Sequence, residues 1–329
     1  MPGFGPSTSS SSSFLTIPAP LKRLFDSTPL IAYEENELPQ RSVRPPTRTE
    51  RQDIHAFFDA HVRAEDKRRG KQKEDALHSL FSWACRSDGA NPKVASFNPS
   101  CLRWQTYLIF QGIEFYVVPA NNHASFPSTL PILTTHPEAG PPLVQPVVNS
   151  EGFAKWVRKS QALGNREEAY LTLVDGPVRR AWQYHMYLTP NFRAITTKCY
   201  IDPQSSSSIV RFFSSRSLQE AAREDLLKTK PIIDERAIYL EAEQAFVALD
   251  TYVSEGIKSG RSPTSLLDAA IFSYVYLLLE LDGSVWMDTR LVDILKKFNG
   301  LREHKELIRK NHFRARPPAI WRELNQRAK

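Results

Sequence analysis

Residues 98–135 read NPSCLRWQTYLIFQGIEFYVVPANNHASFPSTLPILTT. Asn98-Pro99-Ser100 is a helix opening, because an Asn or Ser side chain can accept a bond from an early backbone N–H and a proline in the first turn loses no useful donor. Leu102, Leu108 and Ile109 give the following helix, 101–111, an apolar side, and Gly112 ends it. Residues 113–120, IEFYVVPA, are β-branched and aromatic and read as a strand. A polar connector, 121–128, then leads to a second short strand at 129–135. Working outward, 77–85 (LHSLFSWAC) is a strand candidate before the helix. Downstream, 140–148 (GPPLVQPVV) reads as a strand and 150–160 (SEGFAKWVRKS) as a helix opened by Ser150.

Strand, helix, strand, loop, strand, strand, helix is the order of a thioredoxin-like domain, placed here at 76–164. In that fold a proline just before the third strand is cis, and Pro131 holds the corresponding place. From 165 to 313 the sequence is almost wholly helical. Residues 167–188, 210–230 and 233–256 carry apolar positions at three- and four-residue spacing, and Gly176-Pro177 should kink or reset the first of them. Before the apolar run 269–279, Ser265 and Asp268 stand three apart, a reciprocal N-terminal cap. Residues 286–298 and 301–313 finish the helices. The expected fold class is therefore an α+β thioredoxin-like domain followed by an all-α domain.

The 329 residues suffice for two ordinary domains, and their 41% apolar and 24% charged content excludes both wholesale disorder and a multi-spanning membrane protein. The run 269–279 is too short to cross a bilayer, which takes about 20 residues. Cys85, Cys101 and Cys199 are odd in number and far apart, so neither a disulfide framework nor a zinc ribbon can be built, and a reducing compartment is expected. The net charge is +7, yet from Arg290 to the end there are twelve basic and four acidic residues, so the excess belongs to one end. That end would be drawn to anionic lipid, or is a solvated face. The basic stretch KRRGKQK (67–73) is flanked by Glu65, Asp66, Glu74 and Asp75, and no nucleic-acid partner is expected.

Residues 1–16 are Ser-rich and uncharged, which reads as a disordered tail with neither a cleaved presequence nor a secretory signal. Residues 17–75 are an N-terminal extension and charged linker. Its apolar side chains, among them Leu21, Leu24, Phe25 and Tyr33, follow no helical or strand period, as in a segment that wraps over another surface, and these four are docking candidates. Residues 314–329 read as a basic C-terminal tail. Asn121, Asn122 and His123 either contact a partner or tie down their own loop. Trp104, placed opposite the apolar side of its helix, is either a partner-facing anchor or a core tryptophan.

A thioredoxin-like domain followed by an all-helical one is the plan of the glutathione transferase superfamily, and Ser265 and Asp268 match the cap of its buried helix. Residues 21–39 (LKRLFDSTPLIAYEENELP), 97–108 (FNPSCLRWQTYL) and 118–133 (VPANNHASFPSTLPIL) narrow the resemblance to the metaxin family. Within it the chain resembles the fungal, tail-less metaxin-like receptor subunits of the mitochondrial sorting and assembly machinery, the SAM complex. The resemblance implies a non-enzymatic peripheral protein on the cytosolic face of the outer mitochondrial membrane. Its implied partners are the central β-barrel subunit, a second metaxin-like subunit and β-barrel precursors, received through their β-signal for insertion. It implies no cofactor or metal and no transmembrane helix.

The alternative is a glutathione transferase-like enzyme or a thiol-ligand binder. Such an enzyme needs a hydroxyl or thiol near the start of the first helix to stabilise a bound thiolate, and Ser100 and Cys101 sit there. The stretch that would hold the γ-glutamyl end is 149–153 (NSEGF), which keeps Ser150 but places bulky Phe153 where a small side chain is usual. No GxSxG, HExxH or P-loop is present, and the eight histidines have no metal-like spacing.

Overall fold

The computed structural model describes residues 78–85, 88, 91–122, 130–134, 147–148, 152–153, 155, 164–313 and 317–327. The expectations for 1–16 and 17–75, with Leu21, Leu24, Phe25 and Tyr33, and that for His123 lie outside these residues.

Strand β1 (His78–Ser82) is central to a four-stranded sheet of order β2-β1-β3-β4. It runs parallel to β2 (Phe115–Pro119), with His78 opposite Phe115, and antiparallel to β3 (Ile132–Thr134), which pairs antiparallel with β4 (Val147–Val148). Helix α1 (Pro99–Phe110) makes the crossover from β1 to β2 that a parallel pair requires. Its N-cap is Asn98, whose Oδ1 accepts from the Cys101 N–H at 3.2 Å, and Gly112 has the positive φ (65°) that lets the chain leave the helix. The Leu130–Pro131 bond is cis, as expected at the entrance to β3.

Side chains alternate across a strand, and here both faces of β1 are covered. Leu80 packs with Trp104, Tyr107 and Leu108 of α1, whereas Phe81 joins the larger core built with the helical region. That region runs through α2 (Asn165–Leu173), α3 (Arg179–Gln183), α4 (Thr197–Tyr200), α5 (Ser208–Thr229), α6 (Glu235–Lys258), α7 (Leu266–Leu279), α8 (Arg290–Lys296) and α9 (Asn299–His312). Between α2 and α3 the chain forms a π-helical turn, Val174–Val178, at the Gly176-Pro177 interruption. The proline has no N–H to give, and the wider turn carries the helix past it.

Helix α7 is buried from Leu266 to Leu278 and packs against α1. Its first turn must satisfy backbone donors out of reach of water, and the capping box does so: Ser265 Oγ accepts from the Asp268 N–H at 3.1 Å, and Asp268 Oδ2 from the Ser265 N–H at 3.0 Å. The Asp268 carboxylate also takes Arg261 Nη1 and Nη2 at 2.8 and 3.0 Å and His304 Nε2 of α9 at 3.1 Å. Burial alone would push this carboxyl up, but the bonds from His304 and Arg261 outweigh it and hold it well below the ordinary range.

Residues 314–329, expected as a basic tail, contain a further helix, α10 (Ala319–Arg327). Trp321 and Leu324 are buried, and Trp321 stacks on Tyr276 of α7 with ring centroids 6.0 Å apart. The start of α10 is fixed by Asp88, which accepts from the Ala319 N–H at 2.8 Å and Arg322 Nη2 at 3.1 Å. The excess of positive charge is also spent locally. Lys297 pairs with Glu243 at 2.7 Å, Arg309 with Glu306 at 2.8 Å and Lys305 with Glu280 at 3.4 Å, while Arg290 meets both Asp288 and Glu235. Among the described residues no helix is long and apolar enough to cross a membrane.

Candidate functional site

The segment between β1 and α1 is where the chemistry read from the sequence would reside, and it is held by side-chain bonds to backbone. Gln105 of α1 reaches back, its Nε2 donating to Pro92 O at 2.7 Å and Val94 O at 2.8 Å, while its Oε1 accepts from the Ser96 N–H at 2.9 Å. Ser96 Oγ donates to Trp83 O at 2.6 Å. Trp83 then meets Tyr200 edge-on at 5.0 Å, and Tyr200 OH donates to Phe97 O at 3.2 Å, which joins the segment to α4. These bonds satisfy polar groups that the packing removes from water.

Cys101, in the first turn of α1, is fully buried. Burial pushes its thiol up to about 11, only partly offset by the backbone at Trp83, so at neutral pH it is a protonated core side chain. Cys85 is likewise pushed up to about 11 by burial, with Asp88 adding to the rise, and Cys199 is raised further by burial. Ser100 is half-buried beside Cys101. Phe153 stacks on Trp104 with centroids 4.9 Å apart and planes 22° from parallel, and both rings are fully buried. Trp104 therefore has no surface for a partner and belongs to the core. Its helix is covered on more than one side, by the sheet and by α7, so of the two readings of Trp104 the packing supports the core tryptophan.

Asn121 and Asn122 do tie down the chain after β2, although through side chains: Asn121 Nδ2 donates to Gln204 Oε1 at 2.8 Å, and Asn122 Oδ1 accepts from Trp83 Nε1 at 3.1 Å. Both bonds cross from the sheet region toward residues that border a cavity of about 540 Å³, lined among others by Trp83, Cys85, Cys199, Gln204, Ile320 and Glu323. The cavity was not foreseen, since one of its walls is α10. Its lining mixes apolar side chains with Gln204 and Glu323, and its thiols are protonated. Among the described residues no group of three or more His, Cys, Asp or Glu side chains could hold a metal ion.

Residues 99–192 match the family model described as glutathione S-transferase N-terminal domain. No curated protein matches. Solved structures similar to this chain include a glutathione transferase from Pseudomonas putida with glutathione disulfide bound, at 13% identity and TM-score 0.37, covering 82% of this chain and 97% of that one. Another is glutathione transferase F7 from Populus trichocarpa, at 14% identity and TM-score 0.33, covering 77% of this chain and 100% of that one. With the parallel β1-β2 crossover, the cis proline before β3 and the capped, buried α7, the match over 99–192 identifies a glutathione-transferase-like fold: a small sheet with helices followed by a helical region.

Proposed function

We propose that the chain is a non-enzymatic subunit of the mitochondrial outer-membrane sorting and assembly machinery, bound peripherally on the cytosolic face. There it receives β-barrel precursors through their β-signal and promotes their insertion, beside the central β-barrel subunit and a second metaxin-like subunit. The resemblance over 21–39, 97–108 and 118–133 supplies this placement. One observation supports the non-enzymatic part: of the positions that would handle a thiol substrate, Cys101 and Phe153 are packed as core. Cys101 is buried and protonated, and Phe153 lies flat on Trp104 where a small side chain would leave room. A transferase needs a donor aimed at a thiolate in an accessible site, and a buried thiol with a raised pKa does not supply one.

The test is a mild-detergent purification of the tagged full chain from mitochondria, beside a glutathione-resin control. The reading requires co-purification of the outer-membrane assembly barrel and no retention on the resin. Elution from the resin by free glutathione, with no membrane partner recovered, would replace it with the thiol-ligand reading. Ser100→Ala should leave barrel recovery unchanged, because the half-buried hydroxyl has no part in a docking role.

A further inference from the structure

The cavity between the residues that follow β1, the end of α4 and α10 plays no part in the proposed function, and neither Cys101 nor Phe153 lines it. Its volume, about 540 Å³, lies within the range of about 300–1,000 Å³ typical of small-molecule sites. Exposure grades the lining by depth. Trp83, Phe97 and Cys199 are buried and make the floor, whereas Gln204 and Glu323 are exposed and make the rim. The Trp83 and Phe97 ring centroids lie 6.1 Å apart, and the indole Nε1 already donates to Asn122 Oδ1 at 3.1 Å. The floor therefore offers aromatic surface without a free indole donor.

Among the described residues Glu323 is the one charged side chain of the lining, and no ion pair or hydrogen bond engages its carboxylate. Its neighbours are committed: Gln204 Oε1 accepts from Asn121 Nδ2 at 2.8 Å, and Asp88 accepts from the Ala319 N–H and from Arg322. Cys85, which also lines the cavity, senses the sign of the local field. Burial is the main cause of its raised pKa, and the two charges that add to the rise, Asp88 and Glu323, are both negative. We propose that this cavity binds a small organic cation, an ammonium carried on an aromatic body, with the body against Trp83, Phe97 and Ile320 and the ammonium at the Glu323 carboxylate. Aromatic rings bury such a body and attract its positive charge, and the carboxylate at the rim supplies the counter-charge. An anion would bring its charge to Glu323 with no described cation in the lining to receive it. That separates this ligand from glutathione, which is negatively charged at neutral pH. The inference stands on the cavity alone and is independent of the proposed function.

The experiment is isothermal titration calorimetry of the full chain at neutral pH against three ligands of nearly one shape: the naphthylmethylammonium cation, neutral naphthylmethanol and the naphthoate anion. The cation should saturate a single site. The alcohol should bind about three- to fivefold more weakly, the worth of an exposed ion pair, and the anion more weakly still. Glu323→Gln should bring the cation down to the affinity of the alcohol and leave the alcohol unchanged, whereas Ile320→Ser should weaken both by the same factor. Glu303→Gln, an exposed carboxylate outside the lining, should change neither. Thermal melts of Glu323→Gln and the wild type should coincide, because the side chain replaced is exposed and unbonded. Equal binding of cation and alcohol, a Glu323→Gln variant that keeps its full affinity for the cation, or no saturable binding of the cation would each overturn the proposal. Displacement of the cation by glutathione would do so as well, since the cavity would then be a thiol-ligand site.

Discussion

His185 entered the sequence reading as one of eight histidines with no metal-like spacing, and the structure gives it a different task. It is fully buried, with Nδ1 3.1 Å from Tyr239 OH and Nε2 3.1 Å from Asn191 Nδ2. Asn191 extends the network, accepting from the Met287 and Asp288 N–H groups at 2.9 Å each, so the ring braces the loop before α8. Burial, aided by the positive charge of Arg290, pushes the His185 pKa down to about 3. The sign follows directly. Between 6.5 and about 3 the unfolded chain holds a proton that the folded chain refuses, so stability is complete above the upper value and falls as the pH drops. The slope contributed by this residue is about 1.4 kcal/mol per pH unit. Urea melts of the wild type and of His185→Gln across about pH 7 to 5 should show a shallower pH dependence in the variant. Parallel curves would sink the assignment.

At this same scale, Ser265 and Asp268 were legible because a spacing of three residues encodes their cap, and Pro131 through its place in the expected thioredoxin-like strand order. Trp104 was half legible: a core role stood beside a surface one, and whether one face or two faces of α1 are covered is decided by α7, well over a hundred residues away. Asn121 and Asn122 were half legible. The sequence offered a structural role, but their partners, Gln204 and Trp83, are set by tertiary packing.

Among elements, the contact between α6 and α9 depends on the absence of a side chain. A Cβ added at Gly300 would overlap Ser254 Oγ, lie 2.8 Å from Asp250 Oδ1 and come within 3.1 Å of the Asp250 carbonyl oxygen, which cannot swing aside. The same Asp250 accepts from the Leu301 N–H at 2.8 Å and so satisfies a donor at the start of α9. Gly300→Ala should therefore cost about 1–3 kcal/mol by overpacking, despite alanine's better helix propensity. Guanidinium melts measure it, and an unchanged or raised midpoint would mean that the helices can separate freely. Helix existence was readable from the period of the apolar positions, and α5, α6 and α7 lie where that period puts them. The π-helical turn at Val174–Val178 was foreseen only as an interruption, because glycine and proline mark where a helix changes without fixing how.

For the molecule as a whole, the decisive difference from the sequence reading is α10, which closes the chain back on its own core. The signal was present: Pro317-Pro318 ahead of a helix, then Trp321 and Leu324 on one side at a spacing of three. Net charge concealed it, for a basic end reads as a solvated tail until its carboxylate partners, such as Asp88, are known. Trp321 is the hinge of this closure. Besides stacking on Tyr276, it sits against the Cys199 sulfur, whose pKa is raised by burial and lowered again, in part, by a hydrogen bond from Trp321. Replacing a buried tryptophan by alanine costs about 3–5 kcal/mol when the surroundings stay in place. A terminal helix has the further option of leaving, so Trp321→Ala should release α10 and lose less than that sum in a global melt. Release would open the cavity wall formed by Ala319, Ile320 and Glu323 and expose Cys85 and Cys199, whereas Cys101, which does not line the cavity, should stay protected. A thiol-reactive dye under native conditions separates these states. In the wild type, where Cys199 and Cys101 are buried and Cys85 is half-buried, reaction should stop at Cys85; in Trp321→Ala, Cys199 should react as well, and Cys101 only on unfolding. If Cys199 stayed unreactive in a folded Trp321→Ala chain, α10 would not be what seals the cavity.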